Sequence, residues 1–201
     1  MVNNAAGNSI SKSENLTPRG FDAISNIVMN GTFYVTRACG ARWIKAGDAA
    51  NIVSILATYI WTGPAYLTPQ VMAKAGVSAM TQSLALEWEN RGIRLNAIAP
   101  GPFSTKGAWD RLMPNENLAR NYTGTVPMGR TGEHSELANL AMFLLADQCA
   151  YINGAVIPID GGQWLNSGGT FSWLSELSNE DWVAVSNQIK SSNEQDKTKR
   201  S

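Results

Sequence analysis

The chain has 201 residues, and 16 Lys+Arg balance 16 Asp+Glu for a net charge of zero. This length suits one domain of about 100–200 residues, and the neutral balance argues against a broad electrostatic grip on nucleic acid or an anionic membrane surface. Hydrophobic residues make up 44%, enough for a core, yet no apolar run approaches the roughly 18 residues that cross a bilayer.

The chain opens on Met1-Val2-Asn3-Asn4-Ala5-Ala6-Gly7, a strand stub running into a turn of small residues. Such a stub at a chain start has almost nothing to pair with. Thr17-Pro18 reads as an N-cap with Pro at the first helical position. A helix is expected over 18–46, with Phe21, Ile24, Val28, Val35 and Cys39 on one side and Gly47 at its end. Asn51-Ile52-Val53-Ser54-Ile55-Leu56 is a β-branched apolar run, the mark of a buried strand. Val77, Met80, Thr81, Leu84 and Trp88 fall at helical spacing, so a second long helix is expected over 66–91, closed by Gly92.

Ile93 to Ile98 reads as another strand, stopped at Pro100-Gly101-Pro102. Residues 104–130 read as a short helix and a loop. Leu137, Leu140, Ala141, Leu144 and Leu145 mark a third core-facing helix over 135–147, and 155–159 a last strand. Pro158 places that strand at a sheet edge. From 163 the chain turns polar, with an amphipathic piece (Trp182, Val185, Ile189) after a cap at Ser178 and a charged, frayed tail from Ser191. Alternating helices and strands mean parallel strands joined by crossovers. The fold class expected is α/β, a partial Rossmann-type doubly wound parallel sheet over 1–165, with a C-terminal extension over 166–201.

Cys39 and Cys149 lie far apart in apolar helical contexts and read as reduced core thiols. The single histidine, His134, excludes any two-histidine mechanism, including HExxH metalloproteases; it reads as a surface residue, and no metal site is expected.

Several motifs are bland alone. Asn3-Asn4-Ala5-Ala6-Gly7-Asn8 is a turn, Lys74-Ala75-Gly76 is helical, and Pro100-Gly101-Pro102 and Asp160-Gly161-Gly162 are chain reversals. Their order is not bland. Asn-Asn-Ala-Ala-Gly, then Asn30 in a helix, a strand with Ser54, Lys74-Ala-Gly, strand-Pro-Gly-Pro, Asn153-Gly154 and Asp160-Gly-Gly resemble the C-terminal two-thirds of a short-chain dehydrogenase/reductase. The family usually carries Tyr four residues before the Lys, but position 70 is Gln70. Its Ser, expected seventeen before the Lys, is replaced by Ala57. Tyr59, fifteen residues upstream of Lys74, instead resembles the spacing in 2,4-dienoyl-CoA reductases of mitochondrial type. Pro-Gly-Pro-Phe-Ser-Thr-Lys-Gly-Ala-Trp at 100–109, Arg111-Leu112 and Ile152-Asn153-Gly154-Ala155 agree with that branch, as does the C-terminal extension.

The resemblance implies NADPH-dependent reduction of 2,4-dienoyl-CoA thioesters in unsaturated fatty acid β-oxidation. It implies Tyr59 as proton donor with Asn8 beside it, Lys74 on the nicotinamide ribose, and Asn30 at a helix kink holding a water near that Lys. It places Asn4, Ala5, Ala6, Gly7, Pro100, Gly101, Pro102 and Phe103 along the cofactor, and Ser9, Thr17 and Arg111 at the acyl-CoA. Ser9 departs from an aromatic residue, and Gln70 from a Ser that orients the Tyr. Tyr66, eight residues before Lys74, is a competing acid; Tyr34, mid-helix, reads as packing. A homo-oligomer is implied, a tetramer in full-length relatives. The implied compartment is the cytoplasm of a bacterium or the mitochondrial matrix of a eukaryote.

A dinucleotide site also needs a Gly-rich strand–turn–helix whose backbone N–H groups cradle the pyrophosphate, and this sequence has none. The chain therefore reads as a truncated form that is inactive alone, with an exposed sheet edge where earlier strands would lie. A noncatalytic remnant or interaction fragment, or a reductase of another acyl thioester or ketone, are the alternatives. NADPH is expected not to bind the 201-residue chain with useful affinity; micromolar binding by isothermal titration would contradict this.

Overall fold

The computed structural model describes residues 1–8, 10–104 and 123–200. Four parallel strands form one sheet in the order β1-β2-β3-β4: β1 (Val2–Asn3), β2 (Ala50–Ile55), β3 (Ile93–Pro100) and β4 (Val156–Ile159). The sequence reading placed three of these strands within a residue or two. The stub at the chain start does find a partner. Val2 registers with Val53 and Asn3 with Ser54, and the Met1 amine donates to the Asn51 carbonyl at 2.7 Å. β4 lies at the opposite edge, where the missing N–H of Pro158 interrupts no ladder on its outer side.

Helices cover both faces. α1 (Pro18–Ser25), a π-helical turn (Asn26–Asn30) and α2 (Gly31–Ala46) form one continuous run. α3 (Tyr59–Thr62) is a single turn that the sequence did not announce, and α4 (Thr68–Trp88) is the long central helix. α5 (His134–Leu145) follows β3, with His134 exposed at its first position. Alternate residues of the inner strands face opposite layers. Ile52, Leu95, Ala97 and Ala99 pack with Val77, Leu84, Ala85 and Trp88 of α4 in two adjoining clusters. Val53 and Ile98 pack on Leu144, with Leu137, Leu140, Ala141 and Leu145 around them.

The π turn corrects the face expected for the first helical run. Ile24 and Val28 are buried as expected, but the buried positions then continue as Thr32, Thr36 and Gly40. The extra residue of a π turn rotates everything after it, so Val35 is exposed and Cys39 only half-buried. Cys149 is buried, and both thiols are free. Gly40 is where α2 meets α4: any Cβ there would enter the Trp88 ring.

The chain divides into two compact units, Met1–Ser167 and Gly168–Ser201. The first ends in α6 (Gln163–Ser167). The second holds α7 (Asn179–Arg200). Ser178 caps α7 as expected, its Oγ accepting from the Asp181 N–H at 3.1 Å while the Asp181 carboxylate accepts from the Ser178 N–H at 2.9 Å. The tail expected to fray continues this helix to Arg200, consistent with the good helix propensity of its Lys, Arg, Glu and Gln residues. Among the described residues no helix is long and apolar enough to cross a membrane.

Candidate active site

All four strands are parallel, so their C-terminal ends lie along one edge. The chain leaves that edge at Asn4, Leu56, Gly101 and Asp160, which brings the motif residues together. Leu56 and Thr58 continue the contact beyond β2: their N–H groups donate to the carbonyls of Ile98 (2.7 Å) and Pro100 (3.1 Å). Tyr59 follows directly, half-buried at the start of α3.

Lys74 reaches the same strand end from the other direction. It lies on the buried stripe of α4 with Gln70, Ala73, Val77 and Thr81. Only 6% of the residue is exposed. Its Nζ donates to the Ile55 carbonyl at 2.5 Å, so the cation is fixed at the end of β2, four residues before Tyr59. Burial disfavours the charged ammonium and lowers the Lys74 pKa to about 8. Gln70, one helical turn earlier, is fully buried at the position where the wider family carries its Tyr.

The π turn packs beside this stretch of α4. Ile24, Val28 and Ala73 form one cluster. A Cβ on Gly76 would lie 2.6 Å from the Met29 sulfur, so the glycine of Lys74-Ala75-Gly76 permits the helices to approach. Asn30 closes the π turn, its Nδ2 donating to Asn26 Oδ1 at 2.8 Å. Asn30, expected at a helix kink, is the last residue of the π turn.

Other expected residues fall around the edge with different degrees of engagement. Asn4, Ala5, Ala6 and Asn8 are exposed in the turn after β1, with Gly7 half-buried. Pro102 is buried, and Pro100, Gly101 and Phe103 are half-buried; the Pro102 carbonyl accepts from Gly132 N–H at 2.9 Å. Thr17 caps α1, its Oγ1 accepting from Gly20 N–H at 3.1 Å, so this hydroxyl already has a structural task. Tyr66 lies in the turn before α4, not at a helix start, and is 57% exposed. Tyr34, expected to pack, is 63% exposed. Ser9 and Arg111 lie outside the described residues.

Sequence reasoning missed the Ile55 carbonyl that holds Lys74. No side-chain motif signals a backbone acceptor. Cavities of about 330 and 270 Å³ open at the C-terminal edge, one against Phe103, Gly132 and Asp160–Gly162, the other between Val2–Ala5 and Ile27, Gly31, Thr32 and Val35. A larger cavity of about 750 Å³ lies at the opposite edge, against Ala50, Gly92 and Arg94; none of these three cavities is lined by Tyr59 or Lys74.

A family model described as enoyl-(acyl carrier protein) reductase matches residues 1–163. The chain belongs to the short-chain dehydrogenase/reductase family. It is 46% identical over 167 residues to a probable 2,4-dienoyl-CoA reductase [(2E)-enoyl-CoA-producing] of Bacillus subtilis, covering 83% of this chain and 66% of the relative. It is 40% identical over 194 residues to a probable 2,4-dienoyl-CoA reductase 3 [(3E)-enoyl-CoA-producing] of Caenorhabditis elegans, covering 94% and 63%. A peroxisomal 2,4-dienoyl-CoA reductase of Danio rerio is 34% identical over 167 residues, covering 83% and 55%. Among solved structures, a 2-deoxy-d-gluconate 3-dehydrogenase assignment from Agrobacterium tumefaciens with bound NADP superposes with a TM-score of 0.78 at 28% identity, covering 82% and 66%. The chain thus spans less than two thirds of the length of these relatives.

Lys74 gives a direct test of the site's electrostatics. Its folded pKa lies below that of an unfolded Lys, so between about pH 8 and 10.5 the unfolded chain binds more protons and stability rises with pH. The shift corresponds to roughly 3 kcal/mol at about 1.4 kcal/mol per unit. Lys74→Met should be more stable than wild type at pH 7, with the gap narrowing by pH 10. A Nζ titration midpoint near 10.5 by NMR would show that the amine is not desolvated.

Proposed function

We propose that this chain carries the catalytic half of a nicotinamide-dependent reductase of 2,4-dienoyl-CoA thioesters. The observation that carries the reading is Tyr59 and the buried Lys74 at one strand end, fifteen residues apart, in a chain whose relatives are named for that activity.

The residues at the C-terminal edge fit the nicotinamide end of such a cofactor. Lys74 offers an ammonium for a ribose hydroxyl, and the small exposed side chains of Asn4–Ala6 allow a flat ring to approach the backbone. Pro100–Phe103 would line its other side. When bound, the cofactor supplies the hydride. We assign NADPH, as the resemblance to the dienoyl-CoA branch implies; the NADP held by a solved relative supports a nicotinamide cofactor.

Reduction of a conjugated thioester sends negative charge to the thioester oxygen. A donor fixed beside that oxygen stabilises the transition state by about 3–4 kcal/mol. The Tyr59 hydroxyl takes this role, with Asn8 next to it. The Lys74 ammonium, held on the Ile55 carbonyl, favours the phenolate that forms as Tyr59 gives up its proton. Asn30 keeps the π turn, and so the helix run beside Lys74, in register. Ser9, Thr17 and Arg111 are assigned to the acyl-CoA; the Thr17 hydroxyl accepts at the α1 cap and keeps its proton to donate, and Arg suits a phosphate by geometry. The relatives differ on the product double bond, 2E in one and 3E in another, and they include a peroxisomal enzyme, so the compartment is not limited to the mitochondrial matrix. Self-association fits the same reading: α4 exposes Met72, Ala75, Ala79 and Leu86 on one side, Leu86 at 82%.

With the chain joined to a Gly-rich dinucleotide-binding half, Tyr59→Phe should lower kcat for NADPH oxidation with a dienoyl-CoA by roughly two to three decades. KM should change little, because the lost bond matters mainly in the transition state. If Tyr66→Phe is the dead variant and Tyr59→Phe is active, the reading fails. For self-association, a monomer at micromolar concentration in sedimentation would count against the α4 surface.

A further inference from the structure

Tyr66 is the one non-glycine residue with positive φ, 68°, among the described residues. Side chains with a Cβ avoid this region, and Gly or Asn usually fills it. The same loop uses Gly63 at its other left-handed position, φ 56°. A tyrosine at the second position is therefore a local conflict, and such conflicts concentrate at ligand sites.

The ring does little for the folded state. It is 57% exposed. Among the described residues it has no ring partner and its hydroxyl has no hydrogen bond. What the structure holds is the backbone. The Tyr66 carbonyl accepts from Ser11 N–H at 3.1 Å, and the Ser13 and Thr68 hydroxyls meet at 3.0 Å. These two bonds join the segment that follows β1 to the turn before α4 and the first residue of α4. Both joined segments leave the C-terminal ends of neighbouring strands, β1 and β2, the side of the sheet from which Tyr59 and Lys74 come. Asn or Gly at position 66 would make the same backbone bond with less strain, so this bonding does not explain the ring.

We propose that Tyr66 contacts the substrate, its ring forming one wall for the unsaturated acyl chain of the thioester. This rests on the thioester reading given above. A flat conjugated chain is a good partner for an aromatic face, and an exposed ring at the mouth of the edge gains most of its contact when that chain arrives. Tyr59 keeps the proton chemistry, and Tyr66 bears on binding and chain selection.

The test uses the 201-residue chain, titrated with a 2,4-dienoyl-CoA and separately with coenzyme A lacking an acyl group, together with thermal melts. Tyr66→Asn and Tyr66→Gly should melt a few degrees higher than wild type as strain is relieved, yet bind the dienoyl-CoA about tenfold more weakly. Tyr66→Phe should bind within about twofold of wild type, because the ring is kept. Coenzyme A itself should bind all four proteins alike. If Tyr66→Asn binds the dienoyl-CoA as well as wild type does, or if it weakens coenzyme A equally, the assignment of the ring to the acyl chain is overturned. If wild type does not distinguish the dienoyl-CoA from coenzyme A, the thioester reading falls instead.

Discussion

A lysine ammonium buried in a wall of apolar side chains is a costly object, and the first unit is arranged around the one at position 74. Its stem runs along the α4 stripe that packs on β2 and β3, and its charge ends on a backbone carbonyl. Removing a cation from water without a partner is strongly unfavourable, so α4 must be held close enough to β2 for the Ile55 carbonyl to receive it. Two glycines set that closeness from the far side of α4. Gly40 admits the Trp88 ring and Gly76 admits Met29. The position of Lys74 is thus a consequence of packing along the whole helix, and a one-residue slip of α4 would remove the ammonium from its acceptor.

The π turn solves a related problem. A regular α-helix from Pro18 to Ala46 would turn its buried stripe from Ile24 and Val28 toward Val35 and Cys39. The extra residue between Asn26 and Asn30 instead brings Thr32, Thr36 and Gly40 inward. Thr36 then receives the Asn3 amide at 3.0 Å, which ties the short first strand to the helix. The bulge therefore serves the sheet edge as well as the contact with α4. Single-turn π bulges are frequent at functional sites, and here the packing reason and the site reason coincide.

Much of this was legible in the sequence. The strand runs, the Thr17 and Ser178 caps and the edge position of Pro158 follow from local chemistry. Lys74 and Tyr59 were marked by the order and spacing of motifs. Three kinds of feature were not legible. The π turn is invisible to a periodicity count, because one inserted residue leaves a pattern that still reads as helical. The pairing of β1 depends on a neighbour fifty residues away. The Ile55 carbonyl and the left-handed backbone of Tyr66 belong to the main chain, which composition does not report.

Backbone takes up polar side chains at both edges of the sheet. At the C-terminal edge the Asp160 carboxylate accepts from Gly162 and Trp164 N–H at 3.0 and 2.7 Å; toward the N-terminal edge the engaged groups are Arg94, Asn96 and Asn153. Arg94 donates to the carbonyls of Ile152, Leu144 and Ala146. Asn153 accepts from Leu95 N–H and donates to the Ala85 carbonyl, while Asn96 ties Ile152 and Ala155. Groups so engaged fix loops and have little capacity left for a ligand. The cavity against Arg94 is larger than those at the other edge, and of its charged lining Arg94 is committed to backbone while Glu89 and Asp147 also face it. At the C-terminal edge Asn4 and Asn8 are exposed and Tyr66 stands open in the turn before α4. Cavity size would favour the N-terminal edge. Exposed polar and aromatic side chains in the loops that follow β1 and β2 favour the C-terminal edge, and in open parallel sheets ligands bind outside the carboxyl ends of the strands.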